Sequence, residues 1–255
     1  MITTGAITQI ADRDGVQAFV VERDYILAHI IDALARSNPP AGLVFKGGTA
    51  LRVCFYEEFR YSADLDFSLV ETPLEDALDA IERALTLCQE ERGVETLILH
   101  RDSGQVAYSG PMGRERTVKL DIATDELVIS TISVPLIVRY DDQTNPSPST
   151  KAYAIEEIAA EKLRCVIQRL QCRDVSDLHR LLVQEGVDVD ESWALFEEKA
   201  RHRGFEPEQF AERLQSRSAN YERRWTDELE VHLGAGVPHF EGTMRELRRA
   251  LRNKL

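Results

Sequence analysis

Cysteine, histidine and net positive charge are all scarce in this 255-residue chain, and each shortage excludes a class of chemistry. The four cysteines, Cys54, Cys88, Cys165 and Cys172, form no C-x-x-C pair, so neither a thiolate metal knuckle nor a redox dithiol is in view. Thiols scattered through a chain of this length read as reduced and buried. The six histidines, His29, His100, His179, His202, His232 and His239, show no H-x3-H or H-E-x-x-H spacing, which excludes a histidine zinc site of those patterns. His179 reads as a hydrogen-bonding residue at the edge of a core. Basic residues number 31 against 44 acidic ones, a net charge of −13, and this excludes a grip on nucleic acid by overall charge. Long apolar runs are missing too: the run at residues 25–31 is flanked by Asp24 and Asp32 and is too short for a bilayer. No membrane contact is expected. No basic segment leads into an apolar one at the start of the chain, so no secretory signal is read and the protein is expected in the cytoplasm.

What remains is the balance of a folded globular protein, 43% hydrophobic and 29% charged, long enough for one large domain or two ordinary ones. Leu27, Ile30, Ile31 and Leu34 fall on one helical face and predict an amphipathic helix over 16–36, stopped by Asn38-Pro39-Pro40. A short buried strand is predicted at 43–45, then a helical stretch to about residue 58. Residues 64–70 alternate, with Asp64, Asp66 and Ser68 on one side and Leu65, Phe67 and Leu69 on the other, as a half-buried strand requires. A helix over 74–91 follows Pro73, then strands at 94–100, 105–109 and 116–123, with further strand within 127–138. Residues 141–150, with Asn145-Pro146-Ser147-Pro148-Ser149, read as a linker. Beyond it only helices are predicted, at 155–171, 174–184, 191–202, 207–216, 219–233 and 241–253. The expected organisation is an α+β domain over 1–145 and a helical domain over 150–255.

Asp64 and Asp66 stand two apart in a strand and point to one face. Two adjacent carboxylates repel unless a cation lies between them, and hard oxygen ligands suit Mg²⁺ carrying a triphosphate; an ordinary solvated sheet face is the competing reading. Asp121, with Lys119 beside it, repeats the pattern on another strand and would complete a carboxylate triad. Lys46-Gly47-Gly48-Thr49 joins a strand to a helix, so its backbone N–H groups and the Thr49 hydroxyl suit phosphate oxygens; taken alone the signal is weak, and a simple tight turn is the commoner reading. It is not a Walker A loop, because the lysine precedes the glycines. Lys162 lies at the edge of an apolar helix face formed by Ile155, Ile158, Ala159, Leu163, Val166 and Ile167. It could enter a cleft or form an ion pair with Asp174 or Asp177. Those two aspartates share a helix face, where they orient a partner or cap the helix.

Taken together and in order, Lys46-Gly47-Gly48-Thr49-Ala50-Leu51-Arg52, Arg60-Tyr61-Ser62-Ala63-Asp64-Leu65-Asp66-Phe67, Lys119-Leu120-Asp121, Glu161-Lys162-Leu163 and Arg173-Asp174-Val175-Ser176-Asp177-Leu178 resemble the AbiEii/MenT-type nucleotidyltransferase toxins. The resemblance spans roughly residues 24–182. It implies a nucleotidyltransferase-like mixed β-sheet core with flanking helices, followed by a helical bundle. It also implies Mg²⁺ (or Mn²⁺), a nucleoside triphosphate as substrate, a cognate antitoxin, and tRNA as acceptor, modified at its 3′ end so that aminoacylation and translation stop. Carried over, the resemblance gives Asp64, Asp66, Lys162 and Asp177 as catalytic residues. Lys46, Gly47, Gly48, Thr49, Arg52, Ser62 and Asp174 are taken as nucleotide-binding; the resemblance gives Asp64 and Asp66 as metal ligands, to which the strand pattern adds Asp121. The fourteen residues between Thr49 and Asp64 exceed the spacing of broader nucleotidyltransferases but suit the toxin branch.

The acidic balance sits awkwardly with a tRNA acceptor, because phosphate neutralisation drives such binding. Yet residues 201–255 hold 11 basic against 9 acidic residues, leaving 20 against 35 for residues 1–200. Arg245, Arg248, Arg249, Arg252 and Lys254, preceded by Arg201, Arg203, Arg213, Arg217, Arg223 and Arg224, with Tyr221 and Trp225 for stacking, are the expected place for tRNA; a solvated helix face is the alternative. Two other functions stay open: transfer to a small-molecule or protein hydroxyl, and a non-catalytic nucleotide-binding module.

Overall fold

In the computed structural model, which describes residues 1–94 and 96–255, the chain divides into two units, Met1–Tyr153 and Ala154–Leu255. The first unit runs α1 (Thr4–Asp14), α2 (Ala18–Arg36), β1 (Leu43–Lys46), α3 (Gly47–Ala50) continued by a wider turn over Leu51–Phe55, β2 (Asp64–Leu69) and α4 (Leu74–Arg92). It ends with β3 (Thr96–His100), β4 (Gln105–Ser109), β5 (Glu115–Ala123), β6 (Thr131–Pro135) and β7 (Ser149–Tyr153). All seven strands form one sheet in the order β3-β4-β5-β2-β1-β7-β6. The pairs β2/β5 and β1/β7 are parallel and the rest antiparallel. This is the mixed sheet with flanking helices that the sequence led us to expect.

The alternation at residues 64–70 appears as β2, with Leu65 and Phe67 buried and Asp64 and Asp66 half-exposed. Helix α4 begins after Pro73, carries Glu75 and Asp76 in its first turn, and stops at Gly93, whose φ of +65° suits a helix end. Its apolar stripe, from Ala77 to Cys88, is buried.

Helix α2 differs from the one-faced helix predicted: Glu22, Asp24, His29 and Asp32 are buried along with its apolar residues. A helix surrounded by protein must pair its polar groups. Accordingly Asp24 receives Arg52 at 2.5 Å, Arg139 at 3.3 Å and the Tyr140 hydroxyl at 2.9 Å, and His29 lies 3.1 Å from Asp142.

Four other expectations are revised. Helix α1 is new, held at its start by the Thr3 side chain accepting from Ala6 N–H and at its end by Gly15. The helix after Lys46 stops at Phe55, short of residue 58. Of the strand expected within 127–138, only Thr131–Pro135 forms. The end of the expected linker and the residues after it pair as β7, between β1 and β6. In the strand predicted over 94–100, Glu95 lies outside the described residues.

The second unit is helical: α5 (Ile155–Gln168), α6 (Cys172–His179) continued by a wider turn over Arg180–Gln184, α7 (Val189–His202), α8 (Phe210–Ser216), α9 (Ser218–Leu233) and α10 (Phe240–Ala250). Its core includes Leu163, Val166 and Ile167 of α5 and an edge-to-face cluster of Trp193, Phe196 and Phe210, with ring centroids 4.9–5.7 Å apart. Lys199 is buried in the same unit, 2.7 Å from Glu157 and 3.2 Å from Glu161.

Candidate active site

Strand register assembles the site. In β1/β2 Lys46 lies opposite Asp66, and in β2/β5 Asp64 lies opposite Lys119 and Asp66 opposite Asp121. Residues directly opposite on neighbouring strands share a face, so Lys46, Asp64, Asp66, Lys119 and Asp121 line one side of the sheet. The other side is anchored by Leu65, Phe67 and Leu120, with the Phe45 and Phe67 rings 5.2 Å apart.

The glycine turn closes over Asp66. Gly47 has φ +80°, and a Cβ there would lie 2.3 Å from Asp66 Oδ2. Only glycine lets the backbone meet that carboxylate. A Cβ on Gly48 would lie 2.9 Å from Arg60 Nη2 and 3.1 Å from Ser62 Oγ, so the turn also faces a guanidinium and a hydroxyl. Arg60 opens one of the motifs that carry the family resemblance but has no site role in the sequence reading. The signal available was a basic residue four positions before Asp64.

Several predicted site residues have structural partners. The Thr49 hydroxyl is buried and donates to the Asp64 carbonyl at 2.5 Å, fixing the start of β2. Lys46 Nζ lies 3.7 Å from Glu126 and 5.6 Å from the Tyr153 ring. Arg52, expected at the nucleotide, is instead buried: Nε and Nη2 grip Asp24 at 2.5 and 3.2 Å, Nη1 donates to the Phe59 carbonyl, and the Tyr61 ring lies 3.8 Å away. Its donors are spent inside the fold. Burial pushes the Asp24 carboxyl up, but Arg52 and Arg139 outweigh it and hold it below the usual range.

The carboxylate triad is also revised. Asp121 accepts from Lys119 Nζ at 2.6 Å. This hydrogen bond leads in holding the ammonium above its ordinary value, with the charges of Asp121, Asp64 and Asp66 adding to it. Among the described residues no three His, Cys, Asp or Glu side chains gather as a ready-made cation cage. The Asp64/Asp66 pair nevertheless fits Mg²⁺, which is commonly held by one or two carboxylates, with substrate phosphates and water completing its shell.

In the second unit Lys162 takes the ion-pair alternative: Nζ lies 3.1 Å from Asp174 and 2.7 Å from Asp177, all three buried. Arg169 adds a contact to Asp174 at 2.9 Å. Burial raises the Asp174 carboxyl, and Lys162 and Arg169 bring it below its ordinary value. His179 hydrogen-bonds to Glu246 at 2.8 Å.

Tyr221 and Trp225, expected to stack on bases, are core residues. Both are buried, and the Trp225 indole donates to the Pro238 carbonyl at 2.7 Å. Arg213, Arg217 and Arg224 donate to the carbonyls of Ile167, Val166 and Leu170, at and just past the end of α5. Arg245 and Arg249 of α10 remain exposed.

A family model described as nucleotidyl transferase AbiEii toxin, type IV TA system, matches residues 29–252. Among solved structures, MenT4, a nucleotidyltransferase toxin from Mycobacterium tuberculosis H37Rv, is similar in fold, with a TM-score of 0.60 and 21% identity over 77% of this chain and 69% of that one. The CdnE cyclic dinucleotide synthase of Elizabethkingia meningoseptica, solved with GTP and Apcpp, aligns over 100% of this chain and 99% of that one at 10% identity, with a TM-score of 0.28 that is too low to bear on the fold. No curated protein sequence matches the chain. No helix among the described residues is long and apolar enough to cross a membrane. With the match covering most of its length, the chain belongs to the AbiEii family of nucleotidyltransferase toxins of type IV toxin–antitoxin systems.

Proposed function

We propose that this nucleotidyltransferase moves a nucleotide from a nucleoside triphosphate to the 3′ hydroxyl of tRNA, with Asp64 and Asp66 holding Mg²⁺ or Mn²⁺ and a cognate antitoxin as its partner. The observation that carries the reading is the register that sets Asp64, Asp66 and Lys46 on one face under the Gly47 turn. The acceptor oxygen bonds to the α-phosphorus, the bond to the bridging oxygen breaks, and pyrophosphate leaves with that electron pair. The hydroxyl proton passes to solvent. A divalent cation, when bound, neutralises the triphosphate and the charge developing on the leaving group. Lys46 offsets phosphate charge beside it, and Gly47 and Gly48 let the backbone approach. Exposed Arg245 and Arg249 are the proposed contacts for tRNA phosphates in the second unit.

The net charge of −13 favours a second reading, in which a small molecule or a protein side chain supplies the hydroxyl. The test is incubation of the protein with Mg²⁺, total tRNA and each α-labelled nucleoside triphosphate in turn. We expect label in the RNA. Label confined to protein or small molecules supports the second reading, and none anywhere leaves only nucleotide binding. Asp66→Asn should abolish labelling and shift the unfolding midpoint by no more than a few degrees. A variant that unfolds would make Asp66 structural and defeat the site assignment.

A further inference from the structure

Lys46, the last residue of β1, directly precedes the Gly47 turn and lies opposite Asp66. Two groups flank its ammonium. Glu126, from the segment between β5 and β6, comes within 3.7 Å of Nζ, and the centroid of the Tyr153 ring, on β7, lies 5.6 Å away. Phe45 pairs with Ala152 in β1/β7, so Tyr153 falls on the face of the sheet that carries Lys46 and Asp66. The Tyr153 hydroxyl shares a hydrogen bond of 2.7 Å with Ser68 Oγ, which follows Asp64 and Asp66 on the same face of β2. Strand register and side-chain contacts thus place the Lys46 ammonium and its flanking groups on the carboxylate face.

The Lys46–Glu126 pair is close enough for charge attraction but beyond hydrogen-bond reach. The ring attracts the cation through its face. Among the described residues no hydrogen bond takes up the ammonium. Lys46 is 12% exposed and its Nζ is not sealed from solvent. An ammonium with a counter-charge but no acceptor can take a phosphate oxygen without first breaking a hydrogen bond. Glu126 therefore neutralises Lys46 while no phosphate is there, and two anions compete for one cation when a triphosphate arrives.

We propose that Glu126 is a positioning residue that acts through Lys46, holding the ammonium by the glycine turn and yielding it to a phosphate of the nucleotide. The same carboxylate draws the ammonium back as pyrophosphate leaves, which keeps affinity for that product low. This exchange rests on the reading of Lys46 as a triphosphate contact; the acceptor of the nucleotide has no part in it.

The test measures equilibrium binding of two probes to the full chain with Mg²⁺: inorganic pyrophosphate, and a non-hydrolysable analogue of each nucleoside triphosphate in turn. Lys46→Met should bind pyrophosphate about tenfold or more weakly, the effect of losing a charge-assisted hydrogen bond. Glu126→Gln should bind it about threefold or more tightly, the scale of one partly screened ion pair. Glu126→Asp, which keeps the charge, should fall between Glu126→Gln and the parent protein. In the Lys46→Met background Glu126→Gln should bring no gain, because the exchange has lost its cation. Equal or weaker binding by Glu126→Gln overturns the proposal. So does a gain that persists without Lys46, which would be a general effect of removing negative charge. A parent protein that binds neither probe overturns it as well. Should Glu126→Gln fail to fold, Glu126→Ala carries the same comparison. If this binding pattern holds while no label reaches RNA, the tRNA reading fails and the exchange stands.

Discussion

A glycine and a carboxylate meet at Gly47, where φ is +80° and the space a Cβ would need lies 2.3 Å from Asp66 Oδ2. Both facts oppose any side chain, the first through backbone strain and the second through direct overlap with the carboxylate. Gly47→Ala should therefore cost about 1–3 kcal/mol in urea unfolding. It should also depress nucleotide transfer by more than that loss explains, because relief of the overlap must move either Asp66 or the turn. A variant with normal transfer would mean that contact between turn and carboxylate is not needed for the site. Gly48, where a Cβ would meet the ends of the Arg60 and Ser62 side chains, has the milder conflict.

At the level of elements, the end of α5 accounts for Arg213, Arg217 and Arg224, three of the arginines expected at tRNA. The last carbonyls of a helix lack partners within it, and Val166 and Ile167 occupy those positions in a buried setting. Arg217 Nη1 donates to Val166 at 2.5 Å and to Arg169 at 3.1 Å, while Arg213 Nη1 donates to Ile167 at 3.0 Å. Removing Arg217 as Arg217→Ala should cost about 1–3 kcal/mol, the penalty of a buried acceptor left unpaired. Arg249→Ala, on the exposed side of α10, should change stability by less than about 0.5 kcal/mol. Equal effects in thermal unfolding would refute the capping role. Spacing tells which residues share a face, and for that reason β2, α4 and the Asp64/Asp66 pair were legible. It does not tell which partner waits there. Arg52, Thr49, Lys162 and Trp225 were placed on plausible faces, but the groups that satisfy them come from distant parts of the chain. Helix α1 and β7 escaped for a related reason: α1 buries only Ile7 and Ala11, and β7 follows a proline-rich stretch with a largely small and polar sequence, so neither shows an apolar period of its own.

For the molecule as a whole, the first unit depends on charged and titratable groups held around α2, and acid should loosen them in two stages. Burial is the leading cause that lowers His29 to about 4, against the opposing charge of Asp142. An unfolded histidine titrates near 6.5, so between these values the unfolded chain binds a proton that the folded chain refuses. The contribution of neutral His29 is complete above about pH 6.5 and is lost as pH falls toward 4, a change on the order of 3 kcal/mol. Asp24 and Asp142 are held below the usual carboxylate range, so their contribution is present above the unfolded carboxyl value and disappears only as pH falls further, through their lowered folded values. Urea unfolding at pH 7, 5.5 and 4 should therefore show the parent protein losing stability across the whole series. His29→Gln should lose little before the carboxylates protonate. Parallel losses in the two proteins would show that His29 is not the group that titrates, and would move the first acid step to the carboxylates.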